Sequence, residues 1–403
     1  MVKKQKKWVR FRHRIPTAIV RPFFSMIARF KYHARVERFA GQGDRNWLIL
    51  ANHQTGFDQF FVGLAFRHQV YYVATEDLFS KGWISRVISW LVAPVPFLKS
   101  STDIRAVMNC MRIAKEGGTI ALFPEGNRTY SGKTCYIKPS VAALAQKLGL
   151  PIAIFRIEGG YGVSPRWSDH VRKGSMRAGV RRVIEPEEYK AMTKDELYAL
   201  ICAELDVDDS VSGGEYASDT LAEGLERVIY VCPDCGLSSF ETHGDILACR
   251  TCGKQHRYLP DKRLTAVDGG TKYHTVAEWY DGQESFIRSM DLAACSDAPL
   301  YRDTVELSEV IVYDRKRRLQ KSVEVRLYAD RLEFGDGVLT LGYDAIKSMG
   351  CIVTHKLNIF YEDKIYQLQG DRSFNALKYC NLYYHARFEK EGHADGEFQF
   401  LGL

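Results

Sequence analysis

Two short cysteine pairs constrain this chain most. Cys232-Pro233-Asp234-Cys235-Gly236 and Cys249-Arg250-Thr251-Cys252-Gly253 repeat one Cys-x2-Cys-Gly pattern, with thirteen residues between Cys235 and Cys249. The glycine after each second cysteine permits the turn that lets backbone N–H groups face the sulfurs. Residues 232–252 must therefore double back until four thiols meet. Four thiolates close a tetrahedron around zinc and leave no open position, so the expected metal is structural, in a module too small to bury a core alone. A redox dithiol pair or an iron site is the competing reading. His243 and His256 read as bystanders that could replace a missing thiolate. The other six cysteines (Cys110, Cys135, Cys202, Cys295, Cys351, Cys380) are scattered, which is no disulfide framework and fits a reducing compartment.

Charge is the second constraint, once it is located. The 403 residues hold 56 Lys+Arg against 49 Asp+Glu, a net charge of +7. Residues 1–38 hold twelve basic residues and one acidic residue, Glu37, so the remainder carries 44 basic and 48 acidic, a net of −4. The chain is a slightly acidic body behind a basic arm. After Pro16, the residues Ile19, Val20, Phe23, Phe24, Ile27 and Phe30 fall at helical spacing, and the helix is expected to start near Pro22. No run approaches the roughly 20 apolar residues that a spanning helix needs. The segment 87–98 is too short and contains two prolines. No secretory signal is expected, because no uninterrupted apolar core follows the basic start.

Between residues 47 and 205, short apolar runs alternate with amphipathic stretches. Segments 47–51, 70–74, 119–123, 152–157 and 176–184 read as strands, with helices between them, for example 103–115 and 139–148. That alternation predicts an α/β fold with a mostly parallel or mixed sheet flanked by helices. The expected divisions are an arm at 1–38, the α/β domain at 39–205, an acidic Gly/Ser-rich linker at 206–226, and the cysteine module at 227–262. A connector (263–320) and a β-rich unit (321–395) follow, the latter made of short alternating strands and a final helix at 373–388.

Two loops carry candidate chemistry. The first, Asn52-His53-Gln54-Thr55-Gly56-Phe57-Asp58, follows a strand. It supplies an imidazole to take a proton and a carboxylate to fix its tautomer. The spacing alone is weak, since His256 and Asp261 repeat it beside the cysteine module. The second, Phe123-Pro124-Glu125-Gly126-Asn127-Arg128-Thr129, turns off another strand end and offers a guanidinium to an anion. An ordinary surface turn with a solvated Arg is the bland alternative.

Together the loops resemble the glycerophosphate/lysophosphatidic acid acyltransferase family. ANHQTGFDQF is similar to the family's Asn-His-x4-Asp block, and LFPEGNRTYSG to its Phe-Pro-Glu-Gly-Thr-Arg-Ser block, with 72 residues from His53 to Glu125. The resemblance covers roughly residues 20–205. It implies His53 as general base with Asp58 as its partner, and Glu125, Gly126 and Arg128 in the acceptor site with Arg128 on a phosphate. Asn127 stands where Thr is usual. The block expected to end in Phe-Ile-Asp-Arg is blurred into 96–101, where Lys99 could replace the Arg as a phosphate contact. Arg156 follows the last block and is expected to point a charge near the site.

The implied reaction moves a fatty acyl group from acyl-CoA or acyl-carrier protein to the hydroxyl of a lysophospholipid such as 1-acylglycerol 3-phosphate, a step of phospholipid biosynthesis. Glycerol 3-phosphate or a lysoglycolipid is the alternative acceptor. A zinc-ribbon scaffold protein with an inactive enzyme-like domain is the alternative from another class. The 321–395 unit resembles a PH-like barrel, a lipid-headgroup or protein binder or an intramolecular docking domain. An anionic membrane surface is the expected partner of the basic arm, at the cytoplasmic face. Trp83, Ile84, Val87, Ile88 and Leu91 repeat the helical spacing and read as core packing, with interfacial insertion as the alternative. The cysteine module has no basic cluster, so no nucleic-acid partner is expected.

Overall fold

The computed structural model describes residues 7–97, 104–211, 213–295, 297–311 and 314–391. The first helix, α1 (Arg14–Phe30), starts well before Pro22, which lies inside it. Pro16 fits a first turn, and the exposed Ala18 leaves the carbonyl that Pro22 cannot serve open to water. Packing holds the helix across that gap: Phe24 lies 4.1 Å from the Phe60 ring on one side of α1.

The α/β domain is built on seven strands: β1 (Ala34–Val36), β2 (Leu48–Ala51), β3 (Val70–Thr75), β4 (Val95–Phe97), β5 (Thr119–Leu122), β6 (Ile152–Glu158) and β7 (Met176–Ile184). Their order is β1-β7-β6-β2-β5-β3-β4. All pairs are parallel except β6 with β7, which makes the sheet mixed. Helices α2 (Asp58–Ala65), α3 (Trp83–Val92), α4 (Ile104–Lys115), α5 (Ser140–Leu148), α6 (Gly160–Val163), α7 (Pro186–Tyr189) and α8 (Lys194–Leu205) complete it. β2 shows why the strands read as continuous apolar runs. Leu48 and Leu50 enter one core, while Trp47, Ile49 and Ala51 enter the core on the opposite face.

The segment 206–226 is expected as a linker, but parts of it pack against the domain. Asp209 accepts from the Gly159 N–H at 2.6 Å. The Tyr216 ring is buried so closely on Gly162 and Gly174 that a Cβ on either would sit 2.2 or 2.3 Å from it. Two glycines thus open a slot that an aromatic ring from the acidic segment fills.

Strands β8 (Val231–Cys232) and β9 (Gly236–Leu237) form the first cysteine knuckle. β10 (Phe240–His243), β11 (Ile246–Cys249), β12 (Gln255–Tyr258) and β13 (Leu264–Ala266) form a sequential antiparallel sheet. Helix α9 (Val276–Arg288) lies in the expected connector, capped by the Thr275 hydroxyl accepting from the Glu278 N–H. Its Trp279 is buried and donates to the Val231 carbonyl at 2.8 Å.

The C-terminal sheet begins about 20 residues earlier than the sequence suggests. β14 (Tyr301–Val310) and β15 (Lys316–Leu327) form its longest hairpin. Charged, exposed positions in the first half of β15 hide the alternation there. With β16 (Arg331–Phe334), β17 (Leu339–Gly342), β18 (Ile346–Ile352), β19 (Lys356–Tyr361) and β20 (Lys364–Gln369), the order is β17-β16-β15-β14-β20-β19-β18. Helix α10 (Ala376–Glu391) follows the sheet. One continuous core joins this sheet and the cysteine module to Tyr130, Tyr161 and Trp167 of the α/β domain.

Two apolar surfaces remain uncovered. Ile15, Ile19, Phe23, Met26 and Phe30 form an exposed stripe along α1. Trp83, Ile84 and Val87, read as core from sequence, are exposed on α3 together with Trp90; Trp83 is 72% accessible. Their helix turns only Ser85 fully inward, so the apolar spacing marks an outer face. Among the described residues, no helix is long and apolar enough to cross a membrane.

Candidate active site

The two motif loops leave neighbouring parallel strands at the same edge of the sheet. β2 pairs with β5 in a register that sets Leu50 opposite Leu122, so His53 and Glu125 each lie three residues beyond a paired leucine. The crevice outside the carboxyl ends of parallel strands is where α/β sheets gather functional groups. Asn52 extends the ladder by one step: its side chain both accepts from the Ile157 N–H at 2.7 Å and donates to the Ile157 carbonyl at 2.8 Å. The motif asparagine therefore ties the loop to β6.

His53 and Asp58 are brought together. His53 Nδ1–H donates to Asp58 Oδ2 at 2.8 Å, and the imidazole stacks on Phe123 with ring centres 4.4 Å apart. Asp58 is fully buried, and its Oδ2 also accepts from the Gln54 and Thr55 N–H groups at 2.7 and 2.9 Å. The Thr55 hydroxyl donates to Oδ1. Four donors thus fix the carboxylate, the carboxylate fixes the tautomer, and Nε2 is the atom left to take a proton. Burial holds His53 below the ordinary imidazole range, against the opposing pull of Asp58. At neutral pH the ring is uncharged, as a general base must be.

Glu125, expected in the acceptor site, bonds the backbone of both neighbouring loops. Its Oε1 accepts from the His53 N–H at 2.6 Å and its Oε2 from the Cys135 N–H at 2.7 Å. The carboxyl is buried, which pushes it up to about 8 against the pull of those two donors. Each oxygen accepts from one backbone N–H, so Glu125 staples the His53 loop. Gly126 closes the sharp turn with φ +71°, and its N–H bonds to the Phe123 carbonyl at 2.9 Å.

Arg128 is half-buried, and the nearer of its terminal nitrogens would lie 3.8 Å from a Cβ built on Gly56. Its guanidinium therefore reaches the His53 loop. Burial and the neighbouring Arg166 push it down to about 10. The following Thr129 N–H donates to the His53 carbonyl at 3.0 Å, which locks the two loops together.

Other expectations fall elsewhere. Lys99 lies outside the described residues. Arg156 does not charge the site; its guanidinium turns to the carbonyls of Glu204 and Asp206 and caps the end of α8. His256 is buried edge-on against Trp279, and Asp261 pairs with Arg263, so that repeat of the spacing makes no dyad. Cys232, Cys235, Cys249 and Cys252 converge, with all four sulfurs within 4.8 Å of one another. Sequence reasoning passed over Thr55 and Arg166. Thr55 had a local signal, a hydroxyl three residues before the acid. Arg166 had none.

Residues 29–157 match the family model described as Acyltransferase, and the chain carries an acyltransferase domain there. A curated relative, the chloroplastic 1-acyl-sn-glycerol-3-phosphate acyltransferase BAT2 of Brassica napus, is 22% identical over 147 residues. That match covers 35% of this chain and 41% of the relative's length. Among solved structures, the 1-acyl-sn-glycerophosphate acyltransferase PlsC of Thermotoga maritima is 21% identical, with a TM-score of 0.41, over 48% of this chain and 78% of that one.

Proposed function

We propose that this chain transfers a fatty acyl group from a thioester donor, acyl-CoA or acyl-carrier protein, to the free hydroxyl of 1-acylglycerol 3-phosphate. The observation that carries this reading is a buried His53–Asp58 dyad beside Arg128, on the ends of adjacent parallel strands. His53 Nε2 takes the proton as the hydroxyl oxygen attacks the thioester carbonyl. The developing imidazolium is stabilised by Asp58. The C–S bond then breaks, the ester remains on the acceptor, and the departing thiolate takes the proton back from His53. A base of this kind contributes about 10²–10⁴-fold. Arg128 recognises the acceptor phosphate, since a guanidinium donates to it in pairs.

Two accessory features support the same reading. The exposed stripes of α1 and α3, with basic residues such as Arg14 and Arg29 beside them, suit an anionic membrane surface where a lysophospholipid resides. This attachment would be peripheral and on the cytoplasmic face. The four cysteines suit structural zinc. Tetrahedral thiolates at a Zn–S distance of ~2.3 Å lie ~3.8 Å apart, and the Cys232 and Cys252 sulfurs are 3.8 Å apart. Gly236 and Gly253 share one turn conformation, each at φ +75°. Such an ion closes the module and takes no part in catalysis. The four-strand, three-strand and helix sequence of the C-terminal unit supports its reading as a PH-like domain.

The test is purified protein with a panel of thioester donors and lyso-acceptors, product read by mass spectrometry. His53→Ala should abolish transfer with the fold intact, and full retained activity would overturn the assignment. Arg128→Gln should weaken phosphate-bearing acceptors selectively. Equal loss on glycerol 3-phosphate, 1-acylglycerol 3-phosphate and a lysoglycolipid would remove its phosphate role.

A further inference from the structure

The acceptor loop is not held by the acyltransferase domain alone. Asn127 Nδ2 donates to the Cys351 carbonyl of β18 at 2.9 Å. The same carbonyl accepts from Arg166 Nη2 at 3.3 Å, while Arg166 Nη1 donates to the Arg128 carbonyl at 2.8 Å. Arg166 is buried, and its guanidinium lies 3.7 Å over the Tyr130 ring. The Asn127 side-chain oxygen in turn accepts from the Arg128 N–H at 3.1 Å. Arg128 therefore has its N–H held by Asn127 and its carbonyl held by Arg166, and both of those side chains end on one atom of the C-terminal sheet.

That atom is available because β18 is an edge strand. Edge strands present carbonyls that the sheet itself does not use. The bonds involved are directional, and all are at least partly buried, so they fix the backbone on either side of the guanidinium proposed to read phosphate. They also give Asn127 a purpose. Threonine at that position would have a shorter arm, and no amide to donate across the domain boundary while accepting locally.

We propose that the C-terminal sheet completes the acceptor site, with Asn127 and Arg166 acting as positioning residues that hold the Arg128 backbone and anchor it on the Cys351 carbonyl. This rests on the acyl-transfer reading above. Both residues hold the backbone of Arg128, the residue proposed to bind the acceptor phosphate, so their loss should act on the acceptor.

The experiment uses the full chain with Asn127→Thr, Asn127→Ala, Arg166→Lys and Arg166→Gln. Each variant is assayed for kcat and for KM toward donor and toward a phosphate-bearing acceptor. Thermal melting is recorded in parallel. Removing one such hydrogen bond should raise acceptor KM about 3–10-fold, with donor KM unchanged. Arg166→Gln should exceed Arg166→Lys, which keeps a cation over Tyr130. Asn127 is only partly buried, so its variants decide the matter if Arg166→Gln fails to fold. Unchanged acceptor KM in folded, active Asn127 variants overturns the proposal and leaves the acyl-transfer reading standing. Equal increases for both substrates overturn it too, since they mark a general loss of structure. A wild-type chain inactive on every acceptor overturns both readings.

Discussion

Asp58→Asn isolates one electrostatic quantity. The substitution keeps an oxygen for the Gln54 and Thr55 N–H groups, and the Thr55 hydroxyl can rotate to accept from the new amide. What disappears is the negative charge 2.8 Å from His53 Nδ1. That charge matters little while the imidazole is neutral and a great deal once it takes a proton. At 2.8 Å and an effective dielectric constant of about 20, Coulomb's law gives ~6 kcal/mol. The His53 side chain is 20% accessible, so water screens part of this, leaving about 3–6 kcal/mol, or roughly 10²–10⁴-fold in kcat. The assay is single-turnover acyl transfer by purified variant, with circular dichroism to verify folding. The pH profile supplies an independent sign. Asp58 raises the His53 pKa against burial, so its removal lets that pKa fall further, and the acid limb of kcat/KM should move to lower pH. A folded variant with less than a tenfold loss, or an acid limb shifted upward, would refute the reasoning.

Three further outcomes follow from the same coordinates. Metal analysis of the purified chain should find close to one zinc per molecule, and Cys249→Ser should lower the melting temperature and weaken retention of the metal; a metal-free, fully stable protein contradicts the site. Tyr216→Ala empties the slot formed by Gly162 and Gly174 and should cost about 3–5 kcal/mol in denaturant unfolding, whereas a true linker would give almost nothing. Phe23→Ser with Trp83→Ser removes two exposed aromatics, each worth about 1.5 kcal/mol or more if inserted. Sedimentation with anionic liposomes should then show at least a hundredfold weaker binding, and unchanged binding rules out this face.

What could be read from the sequence was mostly local. His53 and Asp58 lie five residues apart on one loop, and each cysteine pair lies within a single knuckle, so spacing reports geometry directly. Burial on both faces made β2, β5 and β6 legible as apolar runs. The failures share a cause in long-range packing. Tyr216 sits in an acidic, Gly- and Ser-rich stretch, and only the distant Gly162 and Gly174 reveal that it is core. The β15 strand is masked by Lys316, Arg317, Arg318 and Lys321, which stand along its outer half. The motif names Glu125 but not the two backbone N–H groups it binds, which only the distant Cys135 and the His53 loop supply.

The Asn127–Cys351 contact spans 224 residues of chain. Synthesis at about 5–20 residues per second leaves an interval of roughly 10–45 seconds between the emergence of these two partners from the ribosome. Throughout that interval the base and its acid are already made, but the loop beside them lacks its contact with β18. A nascent or truncated chain would thus carry the whole dyad and still handle its phosphate-bearing acceptor poorly. If the proposed acyl transfer holds, such a chain should show a raised acceptor KM that falls once β18 is in place.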